Sequence, residues 1–413
     1  DGRLEFNFRW LNGDINFDNG SVSGPFDVFK AKNTSNQFVF SGSYDQPITQ
    51  WWSQKLTLAR AEERLISQSG TFQRNVTTGV VSPVFPFPGD IQTLTNRLEW
   101  QHNFQLGKPL LLTAGYQFRE GQGKNVTTTP QLDNLISSHA GFAQAQVNLW
   151  DRLFFTAGLR QDSFNVFGDA TTYRVTAGYL QKEIGTKVRG GYATGFRAPT
   201  INELFFPNFG NPNLQPEKSQ SFDVGVDQFL LEERLKVSAG YFWNRFRNLL
   251  VTTFDPVSCA PFSTFGFCPL NVGSAKTQGW EAGFTYAIAK DLPWIKSLDL
   301  QGNYTYTLTR DLDTGARLPR WPVHQWTGIL SYQPVDPFRI NLAYRYLGSR
   351  FSTTGNQQPL GAFNVVTLSA TYDVTKRVQA YTRIENLFNE EYEEILNFGT
   401  PVRSIYGGVS IKY

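Results

Sequence analysis

The stretch Phe338-Arg339-Ile340-Asn341-Leu342-Ala343-Tyr344-Arg345-Tyr346 puts apolar and polar side chains in strict alternation. Phe338, Ile340, Leu342, Tyr344 and Tyr346 fall on one face, with Arg339, Asn341, Ala343 and Arg345 on the other. A period of two is the mark of a β-strand with one apolar and one polar face. The pattern recurs on both sides. Leu298, Leu300, Gly302, Tyr304, Tyr306 and Leu308 oppose Asp299, Gln301, Asn303, Thr305 and Thr307. Val366, Leu368, Ala370, Tyr372 and Val374 oppose Thr367, Ser369, Thr371 and Asp373. Leu235, Val237, Ala239, Tyr241 and Trp243 oppose Lys236, Ser238, Gly240 and Asn244, with Phe242 breaking the polar face.

Strand length separates the two settings in which such alternation occurs. Strands of a soluble sandwich run to about 5–6 residues. These approach the roughly ten that cross a bilayer when tilted. Along the chain, 18 strands are expected, near 3–10, 36–46, 50–61, 93–105, 110–120, 138–150, 153–164, 172–182, 186–196, 219–230, 234–248, 275–288, 298–309, 322–333, 338–348, 363–374, 377–388 and 402–413. Connections alternate in length. Asp151-Arg152, 183–185, 334–337 and Thr375-Lys376 are short, whereas 62–92, 121–137, 197–218, 249–274, 349–362 and 389–401 are long. Short turns on one side and long loops on the other are the plan of an outer-membrane barrel, with the short turns periplasmic. The expected fold class is therefore all-β, a transmembrane antiparallel β-barrel. Its C-terminus would be periplasmic, the last strand closing on the aromatic Tyr413.

Composition agrees. Of 413 residues, 40 % are hydrophobic, only 18 % charged and 15 % aromatic, a combination suited to rings at an apolar–water boundary. Mean hydropathy is −0.34, and no run of 18 apolar residues suggests a transmembrane helix. The net charge of +3, without a basic run, gives no reason to expect a nucleic-acid partner. Neither a signal peptide nor any Met is present, so the chain from Asp1 is not an unprocessed translation product. Cys259 and Cys268, close in sequence among Pro and Phe, read as a local disulfide formed in an oxidising compartment; two free thiols are the alternative. His102, His139 and His324 lack zinc-ligand spacing.

Residues 190–219, GGYATGFRAPTINELFFPNFGNPNLQPEKS, resemble the strand–loop–strand segment of TonB-dependent outer-membrane receptors. Gly279-Trp280-Glu281-Ala282 resembles the strand after that family's large loop. Tyr346-Leu347-Gly348-Ser349-Arg350-Phe351 resembles its vitamin B12 receptor branch, and Ile384 to Tyr392 its near-terminal N-L-F motif. The resemblance implies a barrel of about 22 strands around a plug. The chain would then hold the last 18, with the plug, the TonB box and about the first four strands having no counterpart in it. It also implies one barrel per monomer, outer-membrane lipid around it, and coupling to the TonB–ExbB–ExbD complex through the plug. The implied function is uptake of a scarce large nutrient, a ferric siderophore first and cobalamin second.

Catalytic constellations are absent from the sequence. There is no G-x-S-x-G or H-E-x-x-H motif. The pairs Glu62-Glu63, Glu232-Glu233 and Glu390-Glu391 point to opposite faces of a strand or lie in turns, which makes them poor acid–base partners. No cofactor is expected, iron entering only with the cargo. Asp14, Asp18 and Asp27, near Asn12 and Asn19, are candidate ligands for a loop calcium, with a plain polar loop as the alternative. Candidate cargo contacts are Phe205, Phe206, Asn208, Phe209 and Asn211, then Arg320 with Trp321, and Arg350 with Phe351. Aromatic faces beside Arg suit a bulky anionic chelate; the competing role for these rings is the girdle in the lipid headgroups. Two rival functions stand beside transport: a passive 18-stranded porin, and a structural or adhesive barrel or soluble β-sandwich enzyme.

Overall fold

The computed structural model of the chain describes all residues except 1, 18–25, 30, 69–71, 76, 84–87, 129, 265, 397 and 413. Asp18, Asn19 and Tyr413, all singled out above, lie outside the described residues. One antiparallel sheet of 18 strands forms the wall. In chain order these are β1 (Arg3–Phe17), β2 (Ala31–Pro47), β3 (Trp52–Gln68), β4 (Pro88–Leu106), β5 (Leu110–Asn125), β6 (Leu132–Leu149), β7 (Leu153–Phe164), β8 (Gly168–Gln181) and β9 (Thr186–Arg197). There follow β10 (Glu217–Leu230), β11 (Leu235–Phe254), β12 (Phe267–Leu292), β13 (Ile295–Asp311), β14 (His324–Val335), β15 (Phe338–Leu347), β16 (Phe363–Asp373), β17 (Val378–Glu385) and β18 (Ser404–Ile411). Each strand pairs with its neighbours in sequence, as from β13 to β14, β15 and β16. Among the described residues no pairing joins β1 to β18, so each has one partner, β2 and β17 respectively.

All 18 expected strands are present, and the registers explain why period two was legible. Leu300, Leu330, Leu342, Leu368, Ile384 and Ile405 are successive cross-strand partners, an apolar row over six strands. Asn303, Thr327 and Arg345 form the corresponding row on the other face. That polar face is the inner one: a Cβ on Gly123 would meet the Ile201 side chain at 3.1 Å, because the segment after β9 folds back against it. Exposed aromatics band the apolar face at both ends. Trp51, Trp150, Tyr179, Trp294 and Tyr372 stand at the short-turn end, and Trp280 and Trp326 toward the loop end. Tyr241 packs on Trp280 with ring centroids 4.9 Å apart, and Tyr304 on Trp326 at 4.4 Å. Such belts are what amphipathic rings form at the two interfaces of a bilayer.

The short turns fall where expected, but three expected loops are largely strand. Residues 62–68 and 88–92 extend β3 and β4, 121–125 and 132–137 extend β5 and β6, and 249–254 with 267–274 form a hairpin that continues β11 and β12. With 26 residues at roughly 3.3 Å each, β12 far exceeds a hydrocarbon core of about 30 Å. The strands therefore continue past the membrane at the loop end, and lipid no longer imposes alternation there. Gly279, in the middle of β12, meets a tight spot: a Cβ would lie 1.9 Å from the Tyr306 carbonyl oxygen and 2.8 Å from the Phe242 ring. Phe242, which breaks the polar face, thus needs a neighbour without a side chain.

Candidate functional site

At the loop end the chain between β9 and β10 turns inward. Pro199 ends the strand, because its ring removes a donor and fixes φ. Thr200 then caps a short helix α1 (Ile201–Phe205). The Glu203 N–H donates to Thr200 Oγ1 at 3.2 Å, and the Thr200 N–H donates to Glu203 Oε2 at 2.7 Å, a capping box. Arg197 closes the loop at its base, donating through Nε to Glu217 Oε2 at 2.7 Å and through Nη1 to Glu203 at 3.2 Å. Burial works to raise the Glu203 carboxyl, but the Thr200 N–H and the Arg197 guanidinium hold it below its ordinary value. Arg197 is in turn pushed well above its ordinary value, first by the Glu217 carboxylate. Glu217 Oε1 also accepts the Leu250 N–H at 2.6 Å, which ties β10 to β11.

The candidates at 205–211 sit on the far side of this loop. Leu204 and Leu214 are almost wholly buried beneath it. Phe206 and Phe209 meet edge to face, with centroids 6.2 Å apart. A Cβ on Gly210 would come within 2.6 Å of the Phe205 and Phe206 nitrogens, so only glycine makes this bend. Asn208 is exposed, and its Oδ1 accepts from the Thr264 N–H at 2.7 Å. Asn211 is 5 % exposed and donates to the Pro269 carbonyl at 3.1 Å. Asn271 completes the clamp, donating to the Gln215 carbonyl at 2.8 Å and accepting its N–H at 2.7 Å. The partner loop carries the disulfide Cys259–Cys268, whose Cα atoms are 5.5 Å apart; both cysteines are fully buried.

The other two candidate pairs come together. The Arg320 N–H donates to the Phe351 carbonyl at 2.7 Å, the Arg317 N–H to Asn356 Oδ1 at 3.0 Å, and the Arg317 guanidinium lies 5.5 Å from the Phe351 ring. Arg320 and Trp321 stay exposed. Arg350 does not: it is 3 % exposed, and its Nη2 donates to the Glu393 and Glu394 carbonyls at 2.8 and 3.1 Å. Burial pulls its pKa below the ordinary arginine value, against the opposing pull of Glu394. Tyr392 stacks on Phe363 at 4.2 Å, and Asn386 holds the same loop by donating to the Glu390 carbonyl and accepting its N–H, both at 2.8 Å. With the Ser274 N–H bound to Asp313 Oδ2 at 3.2 Å, the loops from β9 to β18 form one continuous chain of contacts.

Sequence reasoning missed the cavity this creates. Beneath residues 198–202 the inner wall encloses about 660 Å³, lined by Thr93, Arg119, Ile136, Phe164, Phe196 and Ile201 among others. At its floor Arg160 holds Asp162 through two hydrogen bonds of 2.8 and 2.7 Å. Arg119 has no hydrogen bond or ion pair among the described residues. Its position on the polar face of β5 was readable; its place under a loop some eighty residues later was not. As for calcium, Asp14 already accepts from Thr34 Oγ1 at 2.6 Å and pairs with Lys32 at 3.1 Å, so a cation there would compete with an ammonium. The Asp27 side chain lies outside the described residues, and among those described no group of three or more His, Cys, Asp or Glu is placed to hold a metal. Glu62 pairs with Arg60 while Glu63 accepts from Gln37 at 2.9 Å, so these adjacent carboxylates turn to opposite faces.

Comparison with known proteins gives a consistent picture. The profile of the family described as TonB dependent receptor-like, beta-barrel matches residues 1–387. The vitamin B12 transporter BtuB of Vibrio vulnificus is 24 % identical over 396 residues, 94 % of this chain and 58 % of that protein. Its counterpart in Photobacterium profundum is 25 % identical over 78 % of this chain and 51 % of its own length. The chain thus spans little more than half the length of these relatives. Among solved structures, the ferric-catecholate import receptor Fiu of Escherichia coli K12 superposes with a TM-score of 0.76 at 14 % identity, over 99 % of this chain and 72 % of that one. FpvA of Pseudomonas aeruginosa, bound to pyoverdine, gives 0.76 at 17 % identity, over 100 % and 62 %.

Proposed function

Since the chain belongs to the TonB-dependent receptor-like β-barrel family, we propose that it is the barrel wall of an energy-coupled outer-membrane transporter for a scarce large nutrient. A ferric siderophore or cobalamin is the cargo. The observation that carries this reading is the two-sided wall: an apolar face banded by aromatics, a polar inner face, and outer loops tied to one another above it. The relatives are named for vitamin B12 transport, one structural neighbour for ferric-catecholate import and another for its complex with pyoverdine and iron. Cargo contact falls to the exposed groups at the mouth, Asn208, Arg320 and Trp321, and to the cavity beside Arg119. Asn211 and Arg350 act by holding loops in place.

The bare edges of β1 and β18 favour this over an 18-stranded porin. Lipid tolerates no unpaired strand edge. Strands β1 and β18 run antiparallel, so an even number of further strands fits between them without reversing direction. The reading therefore places additional strands, a plug and the TonB–ExbB–ExbD coupling outside residues 1–413, with one barrel per monomer and β18 ending in the periplasm. The intact mass of the native protein, extracted from outer membranes in detergent, tests this directly. A mass well above the 46.7 kDa of the chain supports it. A mass near that value, with no co-purifying fragment, sinks it in favour of a porin. Uptake of labelled cyanocobalamin against ferric siderophores, with and without a proton-motive force, then separates the cargoes.

A further inference from the structure

The membrane-facing side of strands β10–β13 carries a group of cations that the transport reading does not use. In register, Lys218 stands opposite Arg247, Arg245 opposite Lys276, and Lys276 opposite Arg310. Their face is the apolar outer one. Two residues nearer the membrane lies the row Phe222, Trp243, Gln278 and Leu308, and two further the row Val224, Tyr241, Trp280 and Tyr306. At about 3.3 Å of rise per residue, Arg245, Lys276 and Arg310 lie roughly 7 Å beyond the Trp243 row and about 13 Å along the strands from Trp280, with Lys218 and Arg247 one row further out. That is the depth of lipid headgroups.

Like charges directly opposite on one face of a sheet repel. A three-residue row of Arg245, Lys276 and Arg310 is therefore unfavourable unless an anion lies across it. Among the described residues the chain does not supply one. None of the five makes an ion pair among the described residues, and Arg245 Nε is buried without a hydrogen-bond partner. The neighbouring carboxylates are engaged elsewhere, Glu217 by Arg197 and the Leu250 N–H, and Asp313 by the Ser274 N–H. Among the described residues Lys276 finds the Trp243 ring, 6.0 Å away, and no anion. The contrast with strands β1–β4 is direct: on the same outer face, Arg60 pairs with Glu62, Arg64 with Asp90 and Lys32 with Asp14.

We propose that Lys218, Arg245, Arg247, Lys276 and Arg310 form a binding site for a lipid headgroup carrying phosphate monoesters in the outer leaflet. Strand spacing of about 4.8 Å makes the three-residue row some 10 Å wide, room for two phosphate groups in charge-assisted contact. The aromatic rows below would receive the acyl chains. The site depends on the barrel lying in a membrane and not on which cargo is carried.

The test uses the full-length receptor purified from outer membranes. Native mass spectrometry and phosphorus assay should find retained phospholipid or phosphoglycolipid on the wild type. Retention should fall at least about tenfold in the triple variant Arg245→Gln/Lys276→Gln/Arg310→Gln, and stay unchanged in the control Arg60→Gln/Arg64→Gln. Equal retention in the triple variant, or none on the wild type, overturns the proposal. A second measurement follows thermal unfolding in lipid-free detergent. Phosphatidic acid in micelles should raise the wild-type midpoint and leave that of Lys276→Gln or the triple variant nearly unmoved. If inorganic phosphate at equal phosphorus stabilises the wild type as much, the occupant is a free anion and the lipid site is refuted. Loss of cargo uptake with lipid retention intact would strike the transport reading alone.

Discussion

Arg197 and Glu217 stand opposite each other, at the last residue of β9 and the first of β10, and the guanidinium Nε donates to the carboxylate at 2.7 Å. The nineteen intervening residues turn inward over the mouth, and this pair closes the loop at its base. Replacing Arg197 with Ala removes the partner of two carboxylates at once. The pair is partly exposed, so solvent screening limits the loss to about 1–2 kcal/mol. Hydrogen exchange should accelerate in 198–216 while the strands stay protected. Uniform acceleration across β9 and β10 would mean that the pair supports the wall and not the loop.

The same cluster sets a pH dependence. Glu203 is held below its ordinary value in the folded loop by the Thr200 N–H and Arg197. A carboxyl with a depressed folded pKa contributes stability that is present above its unfolded pKa, about 4.3, and is lost as pH falls through the folded value. Protection factors in 198–216, with exchange referred to the intrinsic rate at each pH, should therefore be flat from neutral pH to about 5 and fall below that. In Glu203→Gln that fall should shrink while protection at neutral pH is already lower. An unchanged acid profile in the variant would assign the sensitivity to another group.

The wall was legible because lipid enforces contrast. Wherever a strand crosses the bilayer, as at Leu342 between Asn341 and Ala343, one face must be apolar. Above the membrane both faces meet water, so 62–68 and 267–274 lost the period and read as loop. The site was legible in outline only. The sequence 190–219 announced a strand–loop–strand segment with aromatic and amide residues, but whether the loop turns inward and whether an amide is free are tertiary facts. Asn208 remains exposed, while Asn211 is spent on Pro269, 58 residues away. Arg350 read as a ligand group and lies buried against Glu393 and Glu394, with no local signal to foretell it.

Gly279 should tolerate no side chain. With a Cβ placed 1.9 Å from the Tyr306 carbonyl oxygen, Gly279→Ala forces β12 and β13 apart and should cost roughly 2–3 kcal/mol. Gly13→Ala, with nothing within 4 Å of its Cβ, is the matched control and should change little. The fraction that keeps heat-modifiable mobility on gel electrophoresis reads both. Equal behaviour of the two variants would place Phe242 and Tyr306 elsewhere.

The disulfide should act locally. Cys259 and Cys268 close a loop nine residues apart, worth roughly 2–3 kcal/mol in chain entropy. The double Cys→Ala variant should expose 255–266 to limited proteolysis and loosen the partners Asn208 and Gln215, which lean on Thr264 and Asn271. Unfolding of the wall itself should be unaltered. A large fall in wall stability would mean that the hairpin of β11 and β12 nucleates the sheet.

Leu342 offers the sharpest test of which face meets lipid. It lies in the row with Leu330 and Leu368, midway between the aromatic ends of β15, whereas Asn341 shares its row with Ser331 and Ser369. An arginine on the lipid face near the midplane costs about 2–4 kcal/mol, and substitutions on the lumen face cost far less. Leu342→Arg should therefore lower the yield of folded, heat-modifiable protein in lipid vesicles sharply, and Asn341→Arg should leave it close to wild type. The two positions are adjacent in sequence, so propensity and loop effects cancel. If both variants fold equally well, the apolar rows pack against protein and not lipid, and the membrane assignment fails with them.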